Sequence, residues 1–238
     1  MCSSDLAPTL VRMSVTPRRP VPVFPLPGTV LFPGAEMPLR IFELRYRTMV
    51  RDALSGERLI ALATLAPGWQ DDYQGSPPFH ALGCVARFES VEWLPNDHYD
   101  LRVCGMVRAR FGKVAREFPY RACEVEVIPD APYTEDDPLI AMVREELLEL
   151  HRRLEPLGPE VWLAPPTLPR DATLLRIVGT MATAARLPDD VKLELLAEDS
   201  VVDRAQRLRT LLQDLGSGHG RRAPGPHRPP PPGDIGEN

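Results

Sequence analysis

Lysine is almost missing from this chain: Lys113 and Lys192 are the only two among 28 basic residues, and 33 acidic residues leave a net charge of −5. A polyanion binder draws its affinity from clustered Lys and Arg, so this composition argues against nucleic acid as a partner. The scarcity of lysine beside plentiful arginine, proline and alanine reads as a codon-composition bias, not as a site. No G-x-x-x-x-G-K-[ST] loop occurs, since Lys113 is followed by Val114 and Lys192 by Leu193, and the phosphate cradle of an ATPase is therefore absent from the sequence. No run approaches the roughly 18 consecutive apolar residues of a membrane span, and the N-terminus has no apolar signal core. A cytoplasmic protein without a membrane partner is expected. Cys2, Cys84, Cys104 and Cys123 form no C-x-x-C pair, which excludes a zinc knuckle and a thioredoxin-like motif. No G-x-S-x-G elbow is present, and Ser76, Ser90, His80, His98 and His151 stand at no spacing that implies a catalytic triad. No cofactor or metal is expected.

What the chain does have is enough apolar residue, 43% of 238, to bury a core for one compact unit or two small subdomains. Its most informative stretch is Pro22 to Val50. Pro25, Pro27, Pro33 and Pro38 lack the N–H that a central ladder needs, which confines them to edges, bulges and turns. After Phe42 the apolar residues Tyr46, Met49, Val50, Ala53 and Leu54 follow helical spacing, Glu43 and Arg47 stand four apart as an ion pair, and Gly56 is a stop.

Residues 1–20 read as a disordered segment, with Met1 and Met13 as alternative starts. From Val21 to about Asp130 the signal is mainly strand. Leu59 to Leu65 and Ala81 to Leu94 are apolar runs, and Pro95-Asn96-Asp97-His98 reads as a hairpin turn. Leu101, Val103, Val107, Ala109 and Phe111 share one face, with Arg102, Arg108 and Arg110 on the other, a solvated face paired with Glu124 and Glu126. Past Pro132 the period changes. Helices are predicted after an Asp136 or Asp137 cap, from Asp171 to Arg186, over 189–197, and after Asp199-Ser200 with a stripe of Val201, Ala205, Leu208, Leu211 and Leu215. Residues 216–238 turn to Gly, Pro, His and Arg and read as a disordered tail.

Several segments resemble one known family in order. Pro22 to Pro27, Val30 to Gly34 (V-L-F-P-G), Pro38 to Tyr46 (P-L-R-I-F-E-L-R-Y) with Met49, the Gly105 to Phe111 strand and the Leu195-to-Leu208 region are similar to the Lon protease N-terminal, substrate-binding domain. The resemblance covers roughly Val21 to Leu215 and suggests a stand-alone bacterial-type member. It implies an α+β fold: a β-rich PUA-like pseudobarrel over 21–130 followed by a small C-terminal helical bundle over 131–215. It also implies a non-catalytic protein- or peptide-binding module, because the ATPase loop and the Ser-Lys dyad of full Lon proteases are missing. Unfolded or exposed apolar protein segments are the implied partners. The rival readings are an adaptor or regulator of a separate ATP-dependent protease and a hydrolase with an unrecognised site.

The candidate partner-binding residues are Trp69, Tyr73 and Phe79 in the loop Ala66 to Phe79, with Phe42, Arg45 and Tyr46 as a second location. Aromatic rings on a long loop suit contact with another chain. The competing reading is that one or two of these rings cap the barrel. Trp93 and Trp162 are expected to be packing residues, and His151 to lie on a helix surface.

Overall fold

The structure is a computed structural model and describes residues 17–218; the sequence readings for residues 1–16 and 219–238 lie outside the described residues. Six strands form one mixed sheet: β1 (Val21–Leu26), β2 (Glu36–Ile41), β3 (Leu59–Leu65), β4 (Phe79–Leu94), β5 (His98–Arg116) and β6 (Ala122–Ile128), with helix α1 (Leu44–Leu54) between β2 and β3. β1 and β3 are parallel, which requires a crossover, and α1 lies on it. β5 is long enough to serve two neighbours along one side. Its first half pairs with β2 and its second half with β6, which also pairs with β1 and so closes the ring β1-β3-β4-β5-β6.

The prolines fall where a ladder can spare a donor. Val23 donates to Arg121 O at 2.8 Å, so the odd residues of β1 point their N–H toward β6. The β1–β6 pairing covers only Val21 and Pro22, and Pro25 therefore lacks its N–H on a side with no neighbouring strand. The predicted β4–β5 turn is present, with Asn96 and Asp97 at φ 66° and 62°. Trp93, expected to pack, is instead 72% exposed, because this hairpin tip runs past the barrel and no second layer among the described residues covers it. Asp97 at the tip accepts from Trp93 Nε1 and forms ion pairs with Arg47 and Arg51. The expected Glu43–Arg47 pair is thereby replaced, and Glu43 pairs with Arg45 at 3.0 Å.

The helical layer comprises α2 (Pro138–Leu154), α3 (Leu174–Ala184), α4 (Asp189–Ala197) and α5 (Val201–Gly216). Asp137, Thr173 and Ser200 cap α2, α3 and α5 by accepting from a backbone N–H in the first turn. α3 thus starts after the predicted Asp171, since Thr173 supplies the cap and the Glu135 carboxylate accepts the Leu174 N–H at 3.0 Å. On α5, Leu212 is fully buried, and Leu211 packs partly buried against the same core.

Two seams join barrel to helices. In the first, the V-L-F-P-G loop alternates its side chains between cores: Leu31 joins the barrel cluster, while Val30 and Phe32 enter the helical one. Phe32 N–H donates to Thr183 Oγ1 at 3.1 Å and Gly34 N–H to Gly105 O at 2.8 Å. Gly34 sits at φ +83°, and Gly179 lets α3 approach so closely that a Cβ there would lie 2.0 Å from Pro33 O.

The second seam corrects the reading of Arg108. Far from lying on a solvated face, its side chain has no exposure, whereas Arg110 is exposed and stands opposite Glu126 as expected. Asp130 Oδ1 lies 2.9 Å from Arg108 Nε, a charge contact off the N–H axis, and 2.8 Å from Arg204 Nη2 of α5, itself buried. Arg108 also donates to Leu196 O, Pro129 O and Asp199 Oδ1. One buried guanidinium thus ties the sheet to the end of α4 and the cap of α5.

Asp130→Asn removes the charge shared by two buried cations and should cost about 3 kcal/mol in urea unfolding, the order seen when one partner of a buried pair is lost. Gly179→Ala would stabilise a free helix by about 1 kcal/mol, but the Pro33 contact should reverse the sign and lower stability by about 1–3 kcal/mol, read the same way. Lys192 is buried, and its Nζ donates to Thr183 O at 2.8 Å. Burial lowers its pKa to about 8, against an opposing pull from Asp189. Between pH 8 and 10.5 the unfolded chain holds a proton that the folded one has lost, so wild-type stability gains with rising pH there, and below pH 8 Lys192 adds no slope. Lys192→Met should lack that gain: the wild-type-minus-variant difference in unfolding free energy should rise by roughly 1–3 kcal/mol between pH 7 and 10. The buried cysteines and tyrosines titrate in both proteins and cancel.

Candidate binding groove

Between the barrel and the helices runs a groove of about 1400 Å³. One wall is the edge of β2 and its continuation through Phe42 and Glu43; the second is the end of β1 with the loop after β3; the third is the segment 163–169 with α3. The loop after β3 is not structureless, because Trp69–Asp72 forms a short 3-10 helix. Trp69 is only 8% exposed and meets Tyr73 edge-on, with ring centroids 5.4 Å apart.

Of the residues singled out in the sequence, Trp69, Tyr73, Phe42 and Tyr46 all line this groove. Phe42 offers the most surface, at 44% exposure. Arg45 does not line it but braces the wall from behind, donating to the carbonyls of Tyr73, Gln74 and Gly75 at 2.9–3.2 Å with its guanidinium over the Tyr46 and Tyr73 rings. Phe79 lies elsewhere: it opens β4 and packs edge-on against Phe111 beneath Arg121. Tyr73 donates to Glu43 at 3.1 Å, and burial together with that carboxylate pushes its pKa up to about 12, so the phenol stays a donor.

The third wall is the part that sequence reasoning missed. Leu163 to Pro169 is an uncharged, proline-rich stretch between two helices, and that absence of charge in a surface connection was the available signal. It is anchored at both sides. Leu163 N–H donates to Ala184 O at 2.7 Å, and His151, expected on a helix surface, is half-buried with Nε2 3.1 Å from Pro166 O and its ring beside Trp162. Trp162 is buried, as expected.

The groove holds polar groups, among them His80 and the hydroxyls of Thr29, Thr167, Thr180 and Thr183. No Ser, Cys or Lys side chain lines it, and Thr183 Oγ1 is engaged by Phe32 N–H. Cys84 is fully buried, which raises its pKa far above neutrality. Among the described residues, no group of three His, Cys, Asp or Glu side chains is placed to hold a metal ion, and no helix is long and apolar enough to cross a membrane. At one end of β2, Arg102 and Arg176 both reach the single carboxylate of Glu36, at 3.4 and 2.8 Å, while Arg40 is matched by Asp100. Proline rings, Pro25, Pro27, Pro67, Pro165 and Pro166 among them, stiffen all sides, so little order has to be imposed when a ligand enters.

Comparison with known proteins gives a consistent picture. Lon protease of Anaeromyxobacter dehalogenans is 29% identical over 203 residues, and Lon protease 2 of Myxococcus xanthus 27%; each match takes in 82% of this chain but 23% of the relative. The chain thus spans about a quarter of the length of these relatives. A Lon N-terminal domain protein from Xanthomonas campestris superposes with a TM-score of 0.56 at 24% identity, covering 81% of this chain and 98% of the other. The N-terminal domain of Mycobacterium avium complex Lon protease gives 0.58 at 22%, covering 84% and 100%. These two likenesses establish the shared α+β fold. The family model of the ATP-dependent protease La (Lon) substrate-binding domain matches residues 20–214, most of the chain, and the protein belongs to that family.

Proposed function

We propose that this protein holds exposed apolar segments of unfolded polypeptides in the groove and does not cut them. The observation that carries this reading is a groove of about 1400 Å³ walled mainly by aromatic, aliphatic and proline side chains, with charged residues among them and no Ser, Cys or Lys. Small-molecule sites usually enclose ~300–1,000 Å³, so a stretch of polypeptide is the better match in size. A serine or cysteine peptidase needs that nucleophile beside a base, and the groove offers His80 with neither a Ser nor a Cys. The relatives are Lon proteases, which supports a second role: presenting the bound chain to an ATP-dependent protease in the cytoplasm.

Phe42→Ala should weaken binding of a reduced, unfolded model protein by at least about 1 kcal/mol in fluorescence titration, with an unchanged melting temperature. Trp69→Ala, by contrast, empties a nearly buried site and should lower stability by about 3 kcal/mol as well. Unaltered binding by Phe42→Ala would remove the groove from consideration. The purified protein should neither hydrolyse ATP nor degrade casein; activity of either kind that scales with protein concentration and survives repurification would contradict the non-enzymatic reading.

A further inference from the structure

β2 lies at the end of the sheet order and pairs with β5 alone. Every residue from Glu36 to Glu43 lines the groove, inward- and outward-pointing alike. A sheet face presents only alternate residues, so the groove runs along the strand's edge.

The parity of that edge follows from its neighbours. Gly105 N–H donates to Ala35 O at 2.9 Å, and Gly34 N–H to Gly105 O at 2.8 Å, so Gly105 turns its peptide groups toward β2. With the register Met37↔Val103, Leu39↔Leu101 and Ile41↔Tyr99, the odd residues of β2 face β5. The peptide groups of Glu36, Pro38 and Arg40 therefore point away from it, toward the groove. Pro38 stands where its missing donor is on the open side, which blunts pairing with a second sheet without closing the edge. Three carbonyls, of Glu36, Pro38 and Arg40, and two N–H groups, of Glu36 and Arg40, are left for a guest.

We infer that the β2 edge takes up an extended apolar peptide as an added antiparallel strand whose carboxylate end lies against Arg102 and Arg176; this rests on the groove reading above. Charge sets the direction. Two guanidiniums share the one carboxylate of Glu36 at the N-terminal end of β2, leaving a positive charge uncompensated. An antiparallel guest ends there with its carboxylate, whereas a parallel guest would begin there with its ammonium. Main-chain hydrogen bonds supply affinity for many sequences, and alternate side chains of the guest meet the aromatic wall. That combination suits a receptor for unfolded chains, which share a backbone but not a motif.

The test uses the whole protein and a fluorescein-labelled octapeptide of alternating leucine and threonine with a free C-terminal carboxylate, read by anisotropy. Two N-methylated versions, one at every leucine nitrogen and one at every threonine nitrogen, remove alternate sets of donors. One version should bind at least 10-fold more weakly and the other within 2-fold of the parent. The C-terminal amide should bind several-fold more weakly than the acid to wild type and equally to Arg176→Gln. Pro38→Ala, which adds a donor to the edge, should tighten binding. Equal effects of the two methylation patterns, large or small, would overturn strand addition while leaving the groove as a side-chain receptor. A preference for the acid over the amide that persists in Arg176→Gln would overturn the assigned direction, and failure of wild type to bind the parent peptide or any unfolded protein would overturn both readings.

Discussion

The carboxylate of Asp130 is the point on which the two layers of this molecule depend. It lies just past β6 and is reached by Arg108 from the barrel and Arg204 from α5, both buried. A guanidinium removed from water loses hydration that only charge and well-placed acceptors can replace, and Arg108 has Asp130, Asp199 and three carbonyl oxygens around it. Such a cluster adds little net stability over a well-packed apolar one. Its acceptors have fixed positions, however, and they dictate where the helices sit on the barrel.

The placement of the helices creates the groove. The V-L-F-P-G loop draws α3 close through Gly179, and the Leu163–Ala184 and Arg186–Val161 hydrogen bonds hold the proline-rich third wall beside α3. With α3 and this wall set, Arg176 reaches Glu36 and the space beside β2 stays open. The same contacts that stabilise the seam therefore define the width of the groove.

The aromatic residues play unequal parts for reasons of burial. Trp69 and Tyr46 are largely enclosed and give the wall its rigidity, with Arg45 locking the loop from behind by cation–π contact and three carbonyls. Phe42 is the most exposed ring along the groove. A rigid wall with a few exposed apolar side chains would lose little entropy on taking up the proposed guest.

Much of the fold was legible in the sequence, because local chemistry controls it. Proline positions marked strand edges, Asp137 and Ser200 marked helix starts, the Pro95–His98 turn marked the hairpin, and the V-L-F-P-G and P-L-R-I-F-E segments carried the family resemblance. Four groove residues, Phe42, Tyr46, Trp69 and Tyr73, were also legible, as aromatics concentrated near proline- and glycine-rich chain. Phe79 was misplaced since loop and strand are indistinguishable at a boundary where alternation has just begun. Trp93 and Arg108 were read wrongly in opposite directions, because period-two alternation says which residues share a face but not what covers that face. Only the tertiary structure decided that α4 and α5 would lie over Arg108 and nothing over Trp93. It also decided that 163–169, about 120 residues along the chain from β2, would become the opposite wall of one groove. Sequence patterns encode interactions over a few residues; a groove between two layers arises from long-range packing, which no local period records.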